Sequence, residues 1–458
     1  MIFYILVENF DREFREKLYL GMQLLLDADN QIDEIFIGNQ TYLMKALESG
    51  ICGPGLVLMK STPIYLKQRV NRLKKLGNIL VLQDEESLVT FESPFVSRND
   101  VATLLSFDAI MCSTSEEYDF YINRARYCVG KVMLAGNIRL AALRPPLIGH
   151  LYAEEMNEIA KTHGGYILFS SVFCQAFRSY PSRYRDLLEI EYNAEGSDKA
   201  FTDHYYKWSE QVRFTFYAFC EFVRRISVEH PSWKVVLRPH PSDDEEFLKF
   251  VFQDLPNIVV VRKYSIAPWI SMSKLVIGST CTTLLESLQA GKPAISFLPK
   301  DPGGYADYLK GVVPNSLVRI EETVEGLMSA VQEILSDENS LKQGPNSYNG
   351  QSAKLIPQDL DLDTVGAYKK LVVDFDKRNL NSPSSQFLKN KLLGPWFKLA
   401  SFVYKFRVKY DAKIVTDKSW KLNEPIHFTA KRVLAAIGSA DLCVIDNLSA
   451  EVIRIRVK

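Results

Sequence analysis

The stretch Val235 to Asp244, VVLRPHPSDD, ends a β-branched run in an arginine and then boxes a histidine between two prolines. Pro239 and Pro241 fix their own φ and push each preceding residue away from helix, so Arg238 and His240 are pre-aimed from a strand end. Such a pair suits an anion, through charge-assisted hydrogen bonds. The plainer reading is a turn that ends a strand and exposes an imidazole. One strand later comes KLVIGSTCTTLLESLQAGKPAISF, residues 274 to 297. A strand Leu275 to Gly278 runs into a hydroxyl-rich loop and a helix from about Thr282, whose N-terminal N–H groups and dipole favour an anion. Hydroxyls of Ser279, Thr280, Thr282 and Thr283 add hydrogen bonds, and Glu286, a turn further on, can reach a ribose hydroxyl or support the loop. Ser/Thr-rich helix starts also occur without a ligand. The two elements together are the more specific signal, that of a nucleotide monophosphate or diphosphate held without a metal.

A second set of candidates is acidic. Gln83-Asp84-Glu85-Glu86 follows a strand Ile79 to Leu82, which puts its carboxylates at a sheet edge. There a carboxylate can act as a base on an acceptor hydroxyl, as a nucleophile, or as an ion-pair partner to an oxocarbenium-like transition state. Glu8 ends the first strand, and Arg12 and Glu13 open the next helix at the same edge. Lys60 and Ser61, after strand Gly55 to Met59, can bind an acidic sugar. Acidic residues after strands are also commonly solvated turns or helix caps, and the lysine and serine fit a plain surface equally. Trp269 reads as core, and the other histidines (150, 163, 204, 230 and 427) show no partner pattern.

The elements that must position these residues alternate. Ile2 to Val7 is a continuous apolar run of the kind found in buried parallel strands, and Arg12 to Leu26 has helical spacing. Strand-like runs at Glu34 to Ile37, Gly55 to Met59, Ile79 to Leu82, Ala109 to Cys112 and Val132 to Ala135 are separated by helix-length segments. That predicts a doubly wound parallel sheet for residues 1–145. LRPPLIG, residues 143 to 149, reads as a linker. A second series follows in residues 150–340: Tyr166 to Ser170, a long aromatic helix over Asp203 to Glu229, Trp233 to Leu237, Ile258 to Val261, Leu275 to Gly278 and Ala294 to Phe297. The fold class is therefore α/β, with two Rossmann-like halves whose ligands sit at the carboxyl ends of the strands. Residues 341–458 form a C-terminal extension, helical after Thr364, that ends in a strand pair (LCVID, VIRIRV) with no evident place.

Composition narrows the partners. Lys+Arg and Asp+Glu both number 55 in 458 residues, so no global basic field argues for nucleic acid. The 7 cysteines are scattered without a CxxC pair, which suits a reducing compartment and argues against structural zinc. The opening apolar run is too short for a signal peptide or span, and no later stretch approaches the ~18 uninterrupted apolar residues that a span needs. Phe387 to Tyr410 carries six basic residues, no acid and many aromatics. It suits either an anionic membrane surface or a helix crossing back over the first half with its basic face in water.

The order of phosphate loop, Glu286 and Gly291-Lys292-Pro293 resembles the donor half of GT-B glycosyltransferases. The chain is also similar to the bacterial surface carbohydrate biosynthesis proteins, at ILVENFDREFREKLYL (5 to 20), LVLMKS (56 to 61), LGNILVLQDEES (76 to 87), AGNIR (135 to 139), VVLRPHPS (235 to 242), APWI (267 to 270) and STCTTLLESLQAGKPAISF (279 to 297). The resemblance spans about residues 1 to 360. The RPHP turn with its Ser/Thr loop further resembles the CMP-binding half of capsule Kdo transferases and polysialyltransferases. That likeness implies that His240 binds the donor phosphate and offsets charge on the departing nucleotide, with Arg238 second. Ser170 and Ser171, in FSSVF, stand where those relatives tend to have asparagine and are further candidate nucleotide contacts. Asp84, Glu85, Glu8 and His240 are then the catalytic candidates, and Lys60, Ser61 and Arg12 the substrate contacts.

The expectation is a metal-independent, cofactor-free GT-B glycosyltransferase of capsule, O-antigen or lipopolysaccharide assembly. It would work in the cytoplasm or at the inner face of the membrane. The donor is expected to be a CMP-activated ulosonic acid, Kdo or sialic-acid-like, and the acceptor a glycan, lipid-linked or free. The acceptor and catalytic half would be residues 1–145, and the donor half residues 150–340. Four rivals share the fold: a UDP-sugar transferase, a CDP-polyol phosphotransferase, a nucleotide-sugar epimerase and a non-catalytic assembly protein.

Overall fold

The computed structural model describes residues 1–27, 32–60, 66–85, 101–124, 132–177, 199–336, 361–376, 426–436, 438, 442–449 and 452–457. The Phe387 to Tyr410 segment lies outside the described residues, as do Ser61 and Glu86. Strands β1 (Ile2–Val7), β2 (Glu34–Asn39), β3 (Leu56–Met59), β4 (Ile79–Leu82), β5 (Ala109–Cys112) and β6 (Val132–Leu134) come first. Then follow β7 (Ile167–Ser170), β8 (Val235–Arg238), β9 (Ile258–Val260), β10 (Leu275–Gly278), β11 (Ala294–Phe297) and β12 (Arg319–Glu321). The last two are β13 (Cys443–Ser449) and β14 (Val452–Val457).

The described residues up to Ala142 and those from 361 onward form one compact unit, and those from Leu143 to Ser336 form another. In the first unit, β2-β1-β3-β4-β5-β6 pair in parallel. All six residues of β1 are buried, as an uninterrupted apolar run covered on both faces must be. Helix Phe10–Leu25 packs on β1 and β2. Its first turn is closed by Glu13, whose Oε1 accepts from the amides of Asn9 at 2.7 Å and Glu8 at 3.2 Å, in the manner of a capping-box glutamate.

The described parts of residues 341–458 belong to this first unit. Helices Thr364–Asp376 and Ile426–Ala436 both pack against helix Phe10–Leu25. The strand pair that sequence left without a place is an antiparallel hairpin, and β14 continues the sheet antiparallel to β2, with Ile453 opposite Ile37 and Ile455 opposite Ile35. Alternation explains the fit, since Ile453 and Ile455 are buried while Arg454 reaches Asp446 at 2.7 Å.

In the second unit, six described strands in the order β12-β11-β10-β7-β8-β9 are all parallel. Helix Lys199–Glu229 lays Phe216, Phe219, Phe222, Val223 and Ile226 into the core over this sheet. Strand β12 has no counterpart in the sequence reading, because Arg-Ile-Glu is too short and polar to stand out. It forms at the sheet's edge, where half-buried residues suffice. No helix among the described residues is long and apolar enough to cross a membrane.

Candidate functional site

Each sheet has one topological switch point, where successive strands leave in opposite directions and the loops after them part to open a crevice. In the second sheet it lies between β7 and β10. Ser170 at the end of β7 pairs in register with Gly278 of β10 on one side and Arg238 of β8 on the other. The RPHP turn and the Ser/Thr loop thus leave the same edge two strand spacings apart, about 10 Å.

The turn after β8 is tied at every joint. The His240 amide donates to Asp243 Oδ2 at 3.0 Å, and the Asp243 amide donates back to the His240 carbonyl at 2.8 Å. Asp243, 4% exposed, also accepts from Ser171 Oγ at 2.6 Å, which fastens the turn to the loop after β7. Burial pushes the Asp243 carboxyl above its usual range, against the opposing hydrogen bonds from Ser171 and the His240 amide. The imidazole is fixed as well. Ser242 N–H donates to His240 Nδ1 at 3.1 Å, so in the neutral ring the proton sits on Nε2.

Arg238, expected as an anion contact, also has a structural part in the turn. Its guanidinium, 7% exposed with the rest of the side chain, donates to the carbonyls of Val261 and Lys263 at 3.0 Å each and of Tyr264 at 2.7 Å. It also lies 5.7 Å from the ring centre of Trp269, which is core as expected. Arg238 therefore clamps the loop after β9 through three of its donors.

The Ser/Thr loop is held in an uncommon backbone state. Thr280 has φ +51°, a left-handed conformation that costs a non-glycine residue about 1–3 kcal/mol and persists only where its surroundings enforce it. Asn315, fully buried, enforces it: its Oδ1 accepts from Thr280 N at 3.0 Å and its Nδ2 donates to Thr280 Oγ1 at 2.9 Å. Helix Thr282–Gln289 then starts from Cys281, whose thiol lies against the amides of Thr283 and Leu284. Thr283 Oγ1 pairs with Ser170 Oγ at 3.1 Å, while Thr282, Thr283 and Glu286 are buried and Ser279 is half-buried.

In the first sheet the switch point lies between β1 and β3. Here Lys17 is buried on helix Phe10–Leu25. It bonds the Leu6 carbonyl at 3.1 Å, pairs with Glu13, and pairs with Glu85 Oε1 at 2.8 Å. Lys60, 8% exposed, spans Glu8 at 3.0 Å and Glu13 at 3.8 Å. Burial would raise the Glu13 carboxyl, but the Lys17 and Lys60 ammonium groups outweigh it and hold the group down at about 2. For Lys17, burial is outweighed in turn by Glu13 and Glu85, and its pKa rises. Asp84 and Glu85 follow β4 as expected, but at 1% and 2% exposure they lie beneath the surface instead of open on the edge. Glu8 is the exposed carboxylate of the set, and Arg12 is half-buried.

Gln83 links two further segments. Its Nε2 donates to the Gly136 carbonyl at 2.7 Å, and its Oε1 accepts from Tyr368 Oη at 2.9 Å. Gly136 has φ +73°, and a Cβ there would meet Thr364 Oγ1 at 2.8 Å and Leu362 Cβ at 2.9 Å. Gly136→Ala is expected to cost about 1–3 kcal/mol or more, read as a lower midpoint in denaturant unfolding.

Sequence reasoning missed Lys17, Asp243, Arg262 and Asn315. Lys17 stands four residues after Glu13, a spacing usual for exposed helix pairs, and only the all-buried neighbourhood sets it apart. Asp243, three residues after His240, has the spacing of a self-closing turn and was the findable one. Triplets of the DxD form occur at residues 27–29, 359–361, 361–363 and 374–376. Asp27 pairs with Lys369 at 2.7 Å and Asp363 accepts from the Gly366 amide, and among the described residues no three His, Cys, Asp or Glu side chains gather as a metal site.

Among solved structures, Staphylococcus aureus MnaA with UDP aligns at 12% identity and a TM-score of 0.50, covering 84% of this chain and 98% of that one. UDP-GlcNAc 2-epimerase of Methanocaldococcus jannaschii, in complex with UDP-GlcNAc and UDP, aligns at 12% identity and a TM-score of 0.50, covering 82% and 100%. The chain has the GT-B fold. The wall teichoic acid polymerase TagF, as its H548A variant, aligns at 10% identity and a TM-score of 0.48, covering 83% and 90%. No protein-family model and no curated protein matches this GT-B chain.

Proposed function

We propose that this GT-B chain is a nucleotide-sugar-utilising enzyme of bacterial surface polysaccharide assembly, and that the crevice at the β7/β10 switch point receives the donor phosphate. One observation carries the reading. The His240 imidazole, pinned with its proton on Nε2, and the start of helix Thr282–Gln289 leave strands on either side of β7, where an N–H donor and a helix dipole both favour an anion. The Thr280 backbone, held by Asn315, keeps the loop hydroxyls in place before ligand arrives. Metal-independent binding is part of the proposal, which is why the test below is run in EDTA. Asp84, Glu85 and Glu8 are the acid–base candidates, and Lys60 and Arg12 the contacts for an acidic sugar or acceptor. A CMP-linked ulosonic acid is the donor favoured by the likeness of the RPHP turn to the Kdo transferases.

The test is a thermal-shift panel of CMP, CDP, UMP, UDP, GDP and ADP in EDTA. A nucleotide present at about 100 times its Kd adds about 2.7 kcal/mol of stability. CMP as the sole hit supports the ulosonic donor, and silence across the panel overturns the reading. The fold-mates that bind UDP and UDP-GlcNAc favour one second reading, epimerisation of a UDP-sugar. In that case UDP stabilises the chain and donor turns over with no acceptor present.

A further inference from the structure

Arg238 and Arg262 sit on facing loops, and each spends its guanidinium on the other's backbone. Arg238, at the end of β8, grips the carbonyls of Val261, Lys263 and Tyr264. Arg262, within that gripped loop, reaches back with Nη2 to the carbonyls of His240 at 2.9 Å and Asp243 at 2.6 Å. Those two carbonyls are the ends of the turn that carries the histidine. The His240 carbonyl already accepts from the Asp243 amide, so Arg262 closes the turn a second time from outside. Both bonds leave the one Nη2, whose two N–H groups are fixed in the guanidinium plane, whereas a lysine ammonium ends a shorter stem and rotates freely.

We propose that Arg262 is a positioning residue for His240, and that the reciprocal clamp it forms with Arg238 holds the imidazole in its Nε2–H tautomer. The route is short. Arg262 keeps the His240–Asp243 turn closed, the closed turn keeps the Ser242 amide against Nδ1, and that bond leaves the proton on Nε2, as a donor. Asp243 adds a second anchor through Ser171, so the turn is fixed to the loops after both β7 and β9. The inference rests on the reading that His240 meets the donor phosphate. The tautomer itself does not depend on that reading.

The test uses full-length protein with 15N-labelled histidine, the His240 signals being assigned by their loss in His240→Ala. Wild type is expected to show the Nε2–H tautomer. Arg262→Gln is expected to shift His240 to a mixture of tautomers and to weaken CMP or UDP, whichever stabilises the wild type, about tenfold, while circular dichroism stays unchanged. Arg262→Lys, which keeps the charge on a shorter and freely rotating stem, should recover part of the affinity. Should Arg262→Gln misfold, Arg262→Lys carries the tautomer measurement alone, and a mixture there supports the clamp. An unchanged Nε2–H tautomer in a folded Arg262 variant overturns it. If no nucleotide of the panel binds the wild type, the proposed function falls, and the tautomer result still decides the clamp.

Discussion

In the His240→Ala variant, turnover is expected to fall by about 10²–10³-fold, the usual loss when one preset donor to a developing negative charge is removed. The midpoint of thermal unfolding without ligand is expected to move by less than about 2 °C. The ring is half-buried and its removal empties no core position, so the effect on the fold is that of a surface change. His240→Gln, whose amide N–H can stand in for Nε2–H, should lose less activity than alanine. A loss of stability in His240→Ala equal to the loss of activity would place the histidine in the scaffold and remove it from the chemistry.

The second large effect is on the first unit. Lys17→Met is expected to lower stability by about 3–5 kcal/mol, because it leaves Glu13 and Glu85 buried with their shared cation gone. The triple replacement Lys17→Met, Glu13→Gln, Glu85→Gln should recover much of that loss, since it removes the stranded charges along with the cation. The same network predicts an acid limit. Glu13 has its folded-state pKa depressed from 4.5 to about 2, so its contribution is fully present above pH 4.5 and is lost as pH falls toward 2. Denaturant midpoints measured across that window should decline in wild type and stay flatter in the triple variant.

The contrast between Arg238 and His240 marks how far the sequence can be read. Both stand at the end of β8, and the prolines around them are visible in the chain, so the turn and its aim are legible. What takes up a side chain's donors is not. Arg238 faces three carbonyls from a loop more than twenty residues away, a contact set by how that loop folds back. The buried strands were legible because apolar runs covered on both faces admit few other readings. Their partners were less so, and β14 is the plain case: its alternation says strand, and nothing local says that it lies beside β2. Asn315 belongs to the same class, since its value lies in the strained Thr280 opposite, which no spacing betrays.

The hairpin's place at the edge of the first sheet bears on how the protein is made. Strand β2 meets β14, and Gln83 meets Tyr368 across 285 positions of sequence. The second unit is encoded between them as a continuous stretch, with contacts that close as it leaves the ribosome. The first unit, begun earlier, has to wait for residues beyond 450 before its sheet is complete, with an open edge at β2 in the meantime. Nascent chains arrested after residue 340 should therefore hold a protease-resistant second unit beside a first unit that is still cut.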